Sequence, residues 1–156
     1  MKVSEVMTHG VYTTSPDDTV QTAAQTMADL DTGVLPIGEN DRLIGILTDR
    51  DLTMRVVAEA RDPTTTFVRD VMSQEVRCCL EDDSVEDAAV KMSQWQVHRL
   101  PVLSKEHRLV GIISLGDLAR EASPEIAGGA LSGIAETDRA ESVHLKSDRE
   151  IGPMRN

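Results

Sequence analysis

The chain has 156 residues, enough for one domain of ordinary size or for two small halves that share a core. Its 27 acidic residues against 16 basic ones give a net charge of −11, which disfavours non-specific attraction to nucleic acid. The first five residues include Lys2, Ser4 and Glu5 and form no apolar segment, and no apolar run approaches the length of a membrane span. We therefore expect a cytoplasmic protein that binds neither nucleic acid nor membranes.

The chain contains two copies of one sequence unit. Residues 3–37 align with residues 68–102, and 12 of these 35 pairs are identical. One residue is then inserted in the second copy, because Gly45 aligns with Gly111. Two tandem copies indicate a pseudo-symmetric pair, since a solenoid requires three or more repeats. We expect the first repeat in residues 1–62 and the second in residues 63–122.

Both repeats have the same predicted elements, which together make a mixed α/β fold. A short extended piece (11–14 and 76–80) precedes a helix with an acidic start and one apolar face. That face is expected to consist of Val20, Ala23, Ala24 and Met27 in the first copy and Val85, Ala88, Ala89 and Met92 in the second. A hairpin follows, with strands at 34–37 and 43–47 and again at 99–102 and 109–113. A second helix is predicted over 51–60 and 117–122.

Two prolines and the end of the chain carry further predictions. Pro36 and Pro101 imply that the first strand of each hairpin lies at a sheet edge or begins at the proline. Residues 123–156 are rich in glycine and charge, so we expect a largely flexible extension. A short turn or helix is predicted within 128–134, and a mobile tail from residue 135.

A hydroxyl residue followed three positions later by aspartate ends each hairpin, in Thr48 to Asp51 and in Ser114 to Asp117. The spacing is that of a helix capping box, and taken alone it favours capping. The same groups also suit an anionic sugar ligand. Amides at a helix N-terminus attract anions, and a carboxylate accepts hydrogen bonds from both vicinal hydroxyls of a ribose.

The complete pattern resembles the CBS-domain family. It comprises a Val-x-x-Val-Met start, an apolar helix, a Leu-Pro strand and Gly-x-x-Thr/Ser-x-x-Asp, and it occurs twice between residue 3 and about residue 122. It is similar to small free-standing bacterial proteins made of one CBS pair, among them the mycobacterial hypoxic-response type. The resemblance implies two β-α-β-β-α repeats packed sheet to sheet, with two clefts between them for AMP, ADP, ATP or S-adenosylmethionine as regulatory ligands.

The resemblance also implies which side chains hold these ligands. The first cleft would contain Thr48, Arg50 and Asp51 with Val76, Arg77, Val97 and Arg99. The second cleft would contain Ser114 and Asp117 with Val11, Tyr12, Thr32, Gly33 and Val34. Segment 97–99 resembles the phosphate-facing segment of the gamma subunit of AMP-activated kinase, which adds His98 as a candidate. Because Gly116 replaces Arg50 in the second copy, the first cleft is expected to bind polyphosphates better.

Three functions remain open at this point. A sensor of adenine nucleotides, with no required cofactor, is the leading hypothesis, and no nucleophile, Walker lysine or metal-ligand spacing indicates an enzyme. The second is a ligand-free dimerisation scaffold with an unknown protein partner. The third is a metal or redox stress sensor that uses the adjacent Cys78 and Cys79. The resemblance and the short apolar helices imply a homodimer.

Overall fold

The structure is a computed structural model that describes residues 1–136 and has a mixed α/β fold. Its elements are α1 (Val3–Val6), β1 (Thr8–His9), α2 (Val20–Leu30), β2 (Val34–Glu39), β3 (Arg42–Thr48), α3 (Asp49–Leu52), α4 (Val68–Val71), β4 (Cys79–Leu80), α5 (Val85–Trp95), β5 (Arg99–Leu103), β6 (Leu109–Ser114), α6 (Leu115–Asp117) and α7 (residues 124–136). The helices α3 and α6 each continue into a π-helical turn, Thr53–Val57 and Leu118–Ala122.

The chain forms two compact units, which we name after their long helices. The α2 unit comprises His9–Cys78 and Leu103–Gly111. The α5 unit comprises Met1–Thr8, Cys79–Val102 and the described residues from Ile112 onward. Each unit therefore combines segments that are distant in sequence.

Each unit contains the lead helix of the opposite repeat, α1 in the α5 unit and α4 in the α2 unit. The amide of Val3 donates to the carbonyl of Asp83 at 2.8 Å, and the amide of Val68 donates to the carbonyl of Asp18 at 2.9 Å. These two bonds are equivalent under the repeat alignment. The two repeats have therefore exchanged their lead helices.

Ion pairs accompany this exchange at the acidic helix starts. Lys2 contacts Asp82 at 2.9 Å in the α5 unit, and Arg69 contacts Asp17 in the α2 unit. The carboxylate partner raises the pKa of each basic group, through a side-chain hydrogen bond first and through its charge second. All four side chains are well exposed, so these pairs position the lead helices more than they stabilise them.

The hairpins form the sheets. One sheet has four strands in the order β1-β6-β5-β4, and the other is the antiparallel pair β2-β3. Isolated bridges extend that pair in the same order, because Ser73 bridges Ile46 on one side and Thr14 bridges Ile37 on the other. The predicted hairpins are confirmed in both repeats, with strands longer than predicted.

The prediction that the prolines mark a sheet edge or a strand start is wrong. Pro101 lies inside the central strand β5, and Pro36 lies inside β2 with a bridge on each side of its strand. The Pro36 carbonyl accepts the amide of Thr14 at 3.0 Å, and that is the first bond of the parallel ladder. Because the ladder begins at this carbonyl, it requires no N–H from the proline itself.

The long helices begin where predicted, and the side chains of Thr19 and Ser84 cap them. Seven of the eight predicted face residues are buried, but Ala24 is exposed. Its counterpart Ala89 is buried, beside the first turns of α7 on α5. No such helix lies against α2 in the described chain. Ala24 is therefore exposed although it occupies the same repeat position as Ala89.

The core of the α2 unit is aliphatic and brings its helices and hairpin together. Its buried members are Val20, Ala23, Met27, Leu35, Ile37, Leu47, Val56, Val68 and Val71. Helix α4 supplies the last two residues, so the core of this unit includes the exchanged lead helix. Among residues 1–136, no helix is long and apolar enough to span a membrane.

The C-terminal extension is partly helical. Residues 124–136 form α7, which is longer than the predicted piece at 128–134. Ala127, Ala130 and Ile134 are buried at helical spacing, and Gly133 packs against the side chain of Ser93 on α5. Residues 137–156, which contain His144 and most of the predicted mobile tail, lie outside the described residues.

Candidate functional site

The first hydroxyl element closes strand β3 in the α2 unit. The amide of Asp51 donates to the Thr48 hydroxyl at 3.1 Å, and the amide of Thr48 donates to Asp51 Oδ2 at 2.9 Å. This reciprocal pair is a complete capping box, as the sequence pattern predicts. It orients the threonine and the aspartate at the N-terminus of α3.

The second element has the same geometry in the α5 unit. Asp117 donates its amide to the Ser114 hydroxyl at 3.1 Å, and the Ser114 amide donates to Asp117 Oδ2 at 2.9 Å. Capping and ligand binding are compatible in both copies. Each hydroxyl oxygen accepts the capping bond but donates to no other residue in the described chain, so its own hydrogen is available to a ligand.

Gly45 opens the first element because the chain passes very close to it. A Cβ at this position would lie 2.7 Å from the sulfur of Met72 and 2.9 Å from the backbone oxygen of Ser73. The amides and carbonyls of Ile46 and Ser73 bond each other at 2.9 Å. The glycine therefore lets the segment after α4 pair with β3 just before Thr48.

The segment after each long helix is joined to the hydroxyl element of its own repeat. The amide of Asp49 donates to the carbonyl of Gly33, and the amide of Leu115 donates to the carbonyl of His98, both at 3.0 Å. A Cβ on Gly33 would lie 2.7 Å from Asp49 Oδ2, which is the end of an exposed side chain. The resemblance instead assigns each of these segments to the cleft of the opposite element, and that cross-repeat pairing stays a prediction.

The candidate residues divide between the two units. The α2 unit contains Thr48, Arg50, Asp51, Val76, Arg77, Val11, Tyr12, Thr32, Gly33 and Val34. The α5 unit contains Ser114, Asp117, Val97, His98 and Arg99. Tyr12, Arg50, Arg77, His98 and Arg99 are exposed, whereas the hydroxyl and aspartate residues are partly or fully buried.

The two aspartates differ in the state of their second carboxylate oxygen. In Asp117, Oδ1 accepts a hydrogen bond from Arg120 at 2.8 Å. In Asp51, Oδ1 has only the Arg55 guanidinium at 4.0 Å, beyond hydrogen-bonding distance. Asp51 therefore has the more available acceptor for a ligand hydroxyl.

The cations around the elements also differ from the sequence-based assignment. The Arg50 guanidinium has no ion pair among the described residues. Gly116, its counterpart, makes room for Arg120, whose Nη1 would lie 3.0 Å from a Cβ at that position. Arg99 follows His98, whose carbonyl is bonded to the Ser114 element. This bond places the backbone next to Arg99 beside the second element, whereas the resemblance assigns Arg99 to the first cleft. The expected preference of polyphosphates for the first cleft therefore stays a prediction.

Two residues beside the elements, Arg120 and Asp49, were not predicted from the sequence. The i,i+3 spacing of Asp117 and Arg120 was a usable signal, since such pairs face each other on a helix. The contact of Asp49 with Gly33 had no local signal, because it depends on how α2 and β3 pack. The donor set as a whole suits a ribose and a phosphate. Each element offers a free hydroxyl hydrogen, and the first adds the available oxygen of Asp51 and the Arg50 guanidinium, which has no ion pair among the described residues.

The cysteines do not form part of a metal cluster within residues 1–136, where no group of three or more His, Cys, Asp or Glu residues is arranged to hold an ion. Cys79 is buried, with its sulfur 3.9 Å from the carbonyl of Pro101. Cys78 is half-buried and lines a small cavity. The two thiols differ in their access to solvent.

Comparison with known proteins identifies the repeated unit. The family model of the CBS domain matches residues 3–58 and again residues 68–123. The CBS domain-containing protein YhcV of Bacillus subtilis is 43% identical over 134 residues, which are 85% of this chain and 94% of that protein. Both family matches contain a complete hydroxyl-x-x-Asp element.

Solved structures resemble the chain over most of its length. The crystal structure of Hypoxic Response Protein I with two coordinated zinc ions superposes with a TM-score of 0.71 and 36% identity, covering 78% of this chain and 98% of that one. A CBS domain pair in complex with 5′-methylthioadenosine and S-adenosyl-L-methionine has a TM-score of 0.68 and 25% identity, covering 77% of this chain and 94% of that one.

Proposed function

Because the chain belongs to the CBS-domain family, we propose that it is a non-enzymatic regulatory module that binds adenosine ligands through its two hydroxyl-Asp elements. Candidate ligands are AMP, ADP, ATP and S-adenosylmethionine. A related CBS pair that binds an adenosine derivative supports this class of ligand. The observation that carries the proposal is the pair of complete capping boxes. In each, the hydroxyl group donates no hydrogen bond within the described chain.

The two elements supply several kinds of contact to an adenosine ligand. The hydroxyl of Thr48 or Ser114 donates to a ribose or phosphate oxygen, and the short helix presents amide groups to negative charge. The free oxygen of Asp51 accepts hydrogen bonds from the ribose diol. Cationic side chains then pair with the phosphates as charge-assisted donors.

Calorimetric titration of the four ligands into the purified protein tests this proposal. Asp51→Ala and Asp117→Ala should each weaken binding at least tenfold, because a hydrogen bond to a charged group contributes about 1.5–3 kcal/mol. The matched control is Thr19→Ala, which removes a helix cap outside the elements. Unchanged affinity in both aspartate variants would rule out the assigned residues.

The order of the two clefts is tested with a pair of arginine variants. On the sequence-based ranking, Arg50→Gln lowers the affinity for ATP more than Arg99→Gln does. Arg99 acts with the second element if the hydrogen bond from Leu115 to His98 determines its location. Each arginine change is then combined with Asp51→Ala or with Asp117→Ala. The affinity of these double variants for ATP shows which element each arginine acts with.

We also propose a homodimer, supported by the uncovered outer face of α2. Ala24 is exposed there and the Leu30 side chain is 52% exposed, whereas α7 lies against the corresponding part of α5. Multi-angle light scattering should give twice the 17.0 kDa mass of the chain. Ala24→Glu should shift the mass toward the monomer, and a monomeric parent protein would contradict the proposal.

A ligand-free scaffold is the alternative function, favoured by the same exposed face of α2. A ligand that binds only the native state raises apparent stability. Absence of any rise in melting temperature with millimolar nucleotide, together with a stable dimer, would support the scaffold over the sensor.

A further inference from the structure

A second cavity lies at the opposite end of the hairpins, within the α2 unit. Its volume is about 530 Å³, which is within the usual range for small-ligand sites. It is lined by Val11, Thr13, Gly38, Asn40, Asp41, Arg42, Leu43, Arg108 and Leu109. Six positions of β3 separate Arg42 from Thr48, or about 20 Å at the rise of a strand. The cavity is therefore far from the Thr48 element, although it shares Val11 with the second predicted cleft.

Two arginines face each other at this cavity. Arg42 and Arg108 form an antiparallel bridge, and directly opposed residues in such a bridge project to the same face of the sheet. Both side chains line the cavity, and both residues are exposed. Like charges placed directly opposite each other are destabilising.

Asp41 also lines the cavity, but it forms no ion pair with either arginine in the described chain. Neither guanidinium has an ion pair or a side-chain hydrogen bond there, whereas Lys2, Arg69 and Arg120 all contact aspartates. Glu39 is opposite Arg42 in the hairpin, but its carboxylate lies 4.0 Å from Arg69. Two unpaired cations side by side are unexpected in a chain with a net charge of −11.

The two turns explain why the arginines come together. Asn40 and Asp41 have φ of 53° and 63°, the left-handed pair that closes a two-residue hairpin, and Arg42 follows directly. In the other hairpin the Ser104 amide donates to the Arg108 carbonyl at 2.8 Å, which closes a three-residue loop. The residue inserted in the second repeat is accommodated in this loop, so Arg108 stays in register with Arg42.

We propose that this cavity binds a phosphate-type oxyanion between Arg42 and Arg108. Two guanidinium groups provide forked donors that match the geometry of a phosphate group. The anion would replace the repulsion between the arginines with two charge-assisted contacts. Inorganic pyrophosphate is the suitable probe, because its oxygens can accept from both forked donors and the cavity has room for it.

A related cavity in the same unit acts as an internal comparison. It has a volume of about 360 Å³ and is lined by Arg42, Leu43, Val76, Cys78, Leu103, Glu106 and His107. Most of its residues are the repeat counterparts of those in the larger cavity. Each cavity has one carboxylate residue, Asp41 in the larger and Glu106 in the smaller, but the smaller one contains only one of the two arginines. The anion is therefore assigned to the larger cavity alone.

Thermal unfolding with and without millimolar pyrophosphate tests the proposal. The parent protein should melt about 3 °C higher with the anion, since selective binding to the native state raises stability. Arg42→Gln and Arg108→Gln should abolish that rise. Without the anion, neither variant should melt below the parent, because each removes a like-charge repulsion. Arg61→Gln, a change outside both cavities, should keep the full rise.

Three results would overturn the site. An equal rise in all four proteins identifies a general salt effect. A rise that survives both arginine variants but disappears in Asp51→Ala or Asp117→Ala places the anion at the nucleotide elements instead. A lower melting temperature of both glutamine variants in the absence of anion shows that the arginines stabilise the fold. Arg42→Lys, which keeps the charge but loses the fork, should retain only part of the rise.

Discussion

At the scale of single residues, close approach explains the glycine that opens the first hydroxyl element. Gly45→Ala should lower the free energy of unfolding by about 1–3 kcal/mol, the usual cost of overpacking. The reason is that the backbone oxygen of Ser73, 2.9 Å from the added Cβ, cannot move independently of β3. Urea unfolding followed by circular dichroism measures the change.

The matched control for this substitution is Gly128→Ala in α7. No atom lies within 4 Å of a Cβ at that exposed helical position. Alanine should therefore stabilise the protein by about 0.5–1 kcal/mol through its higher helix propensity. A destabilisation of equal size at both positions would show that close packing is not the cause at Gly45.

A second prediction at this scale concerns the acid sensitivity of Asp83. Burial acts to raise the pKa of its carboxyl, but the hydrogen bond from Lys91 at 2.7 Å, the Leu80 amide and the charge of Lys91 together bring the pKa below its ordinary value. The unfolded chain therefore binds more protons in this window, so stability rises with pH across it. The contribution is present above about pH 4 and is lost as the pH falls further.

Asp83→Asn should accordingly destabilise the protein at pH 7, and its difference from the parent should shrink toward pH 3. Urea unfolding at a series of pH values measures both quantities. Asp29→Asn, an exposed carboxylate on α2 without a partner in the described chain, is the control. A pH-independent cost of Asp83→Asn would exclude the linkage.

At the scale of elements, α7 is the part that most exceeds the sequence-based expectation. Ile134 is 2% exposed, whereas Leu131 on the same helix is 48% exposed. Ile134→Ala should cost about 2–4 kcal/mol and Leu131→Ala less than about 1 kcal/mol, because only the first leaves a cavity. Thermal and urea unfolding distinguish the two. Equal small costs would indicate that α7 does not pack stably on α5.

At the scale of the whole molecule, the exchange of lead helices makes the two repeats depend on each other. Val3 and Val68 are fully buried, each in the unit built around the other repeat's long helix. Val3→Ala should lower the hydrogen-exchange protection of α5 more than that of α2, and Val68→Ala should do the reverse. Each should cost about 2 kcal/mol. Protection lost within the repeat that carries the mutation would contradict the exchange.

Sequence alone determined the features that depend on short spacings. The i, i+3, i+4, i+7 pattern located both long helices, and the alternation of apolar strands with polar turns located both hairpins. The Thr48 to Asp51 and Ser114 to Asp117 spacings identified complete capping boxes, because the bonds that form them join residues three positions apart. The repeat and its resemblance to the CBS-domain family followed from the same local patterns.

Only the tertiary structure decided the features that depend on which segments meet. Ala89 is buried and Ala24 exposed because α7 packs near only the first of them. Pro36 is tolerated inside a strand because the ladder with Thr14 begins at its carbonyl. The bond from Leu115 to His98 and the opposition of Arg42 and Arg108 are also long-range contacts. Local spacing contains no information about such contacts, since they arise when separate elements pack and their polar groups must find partners.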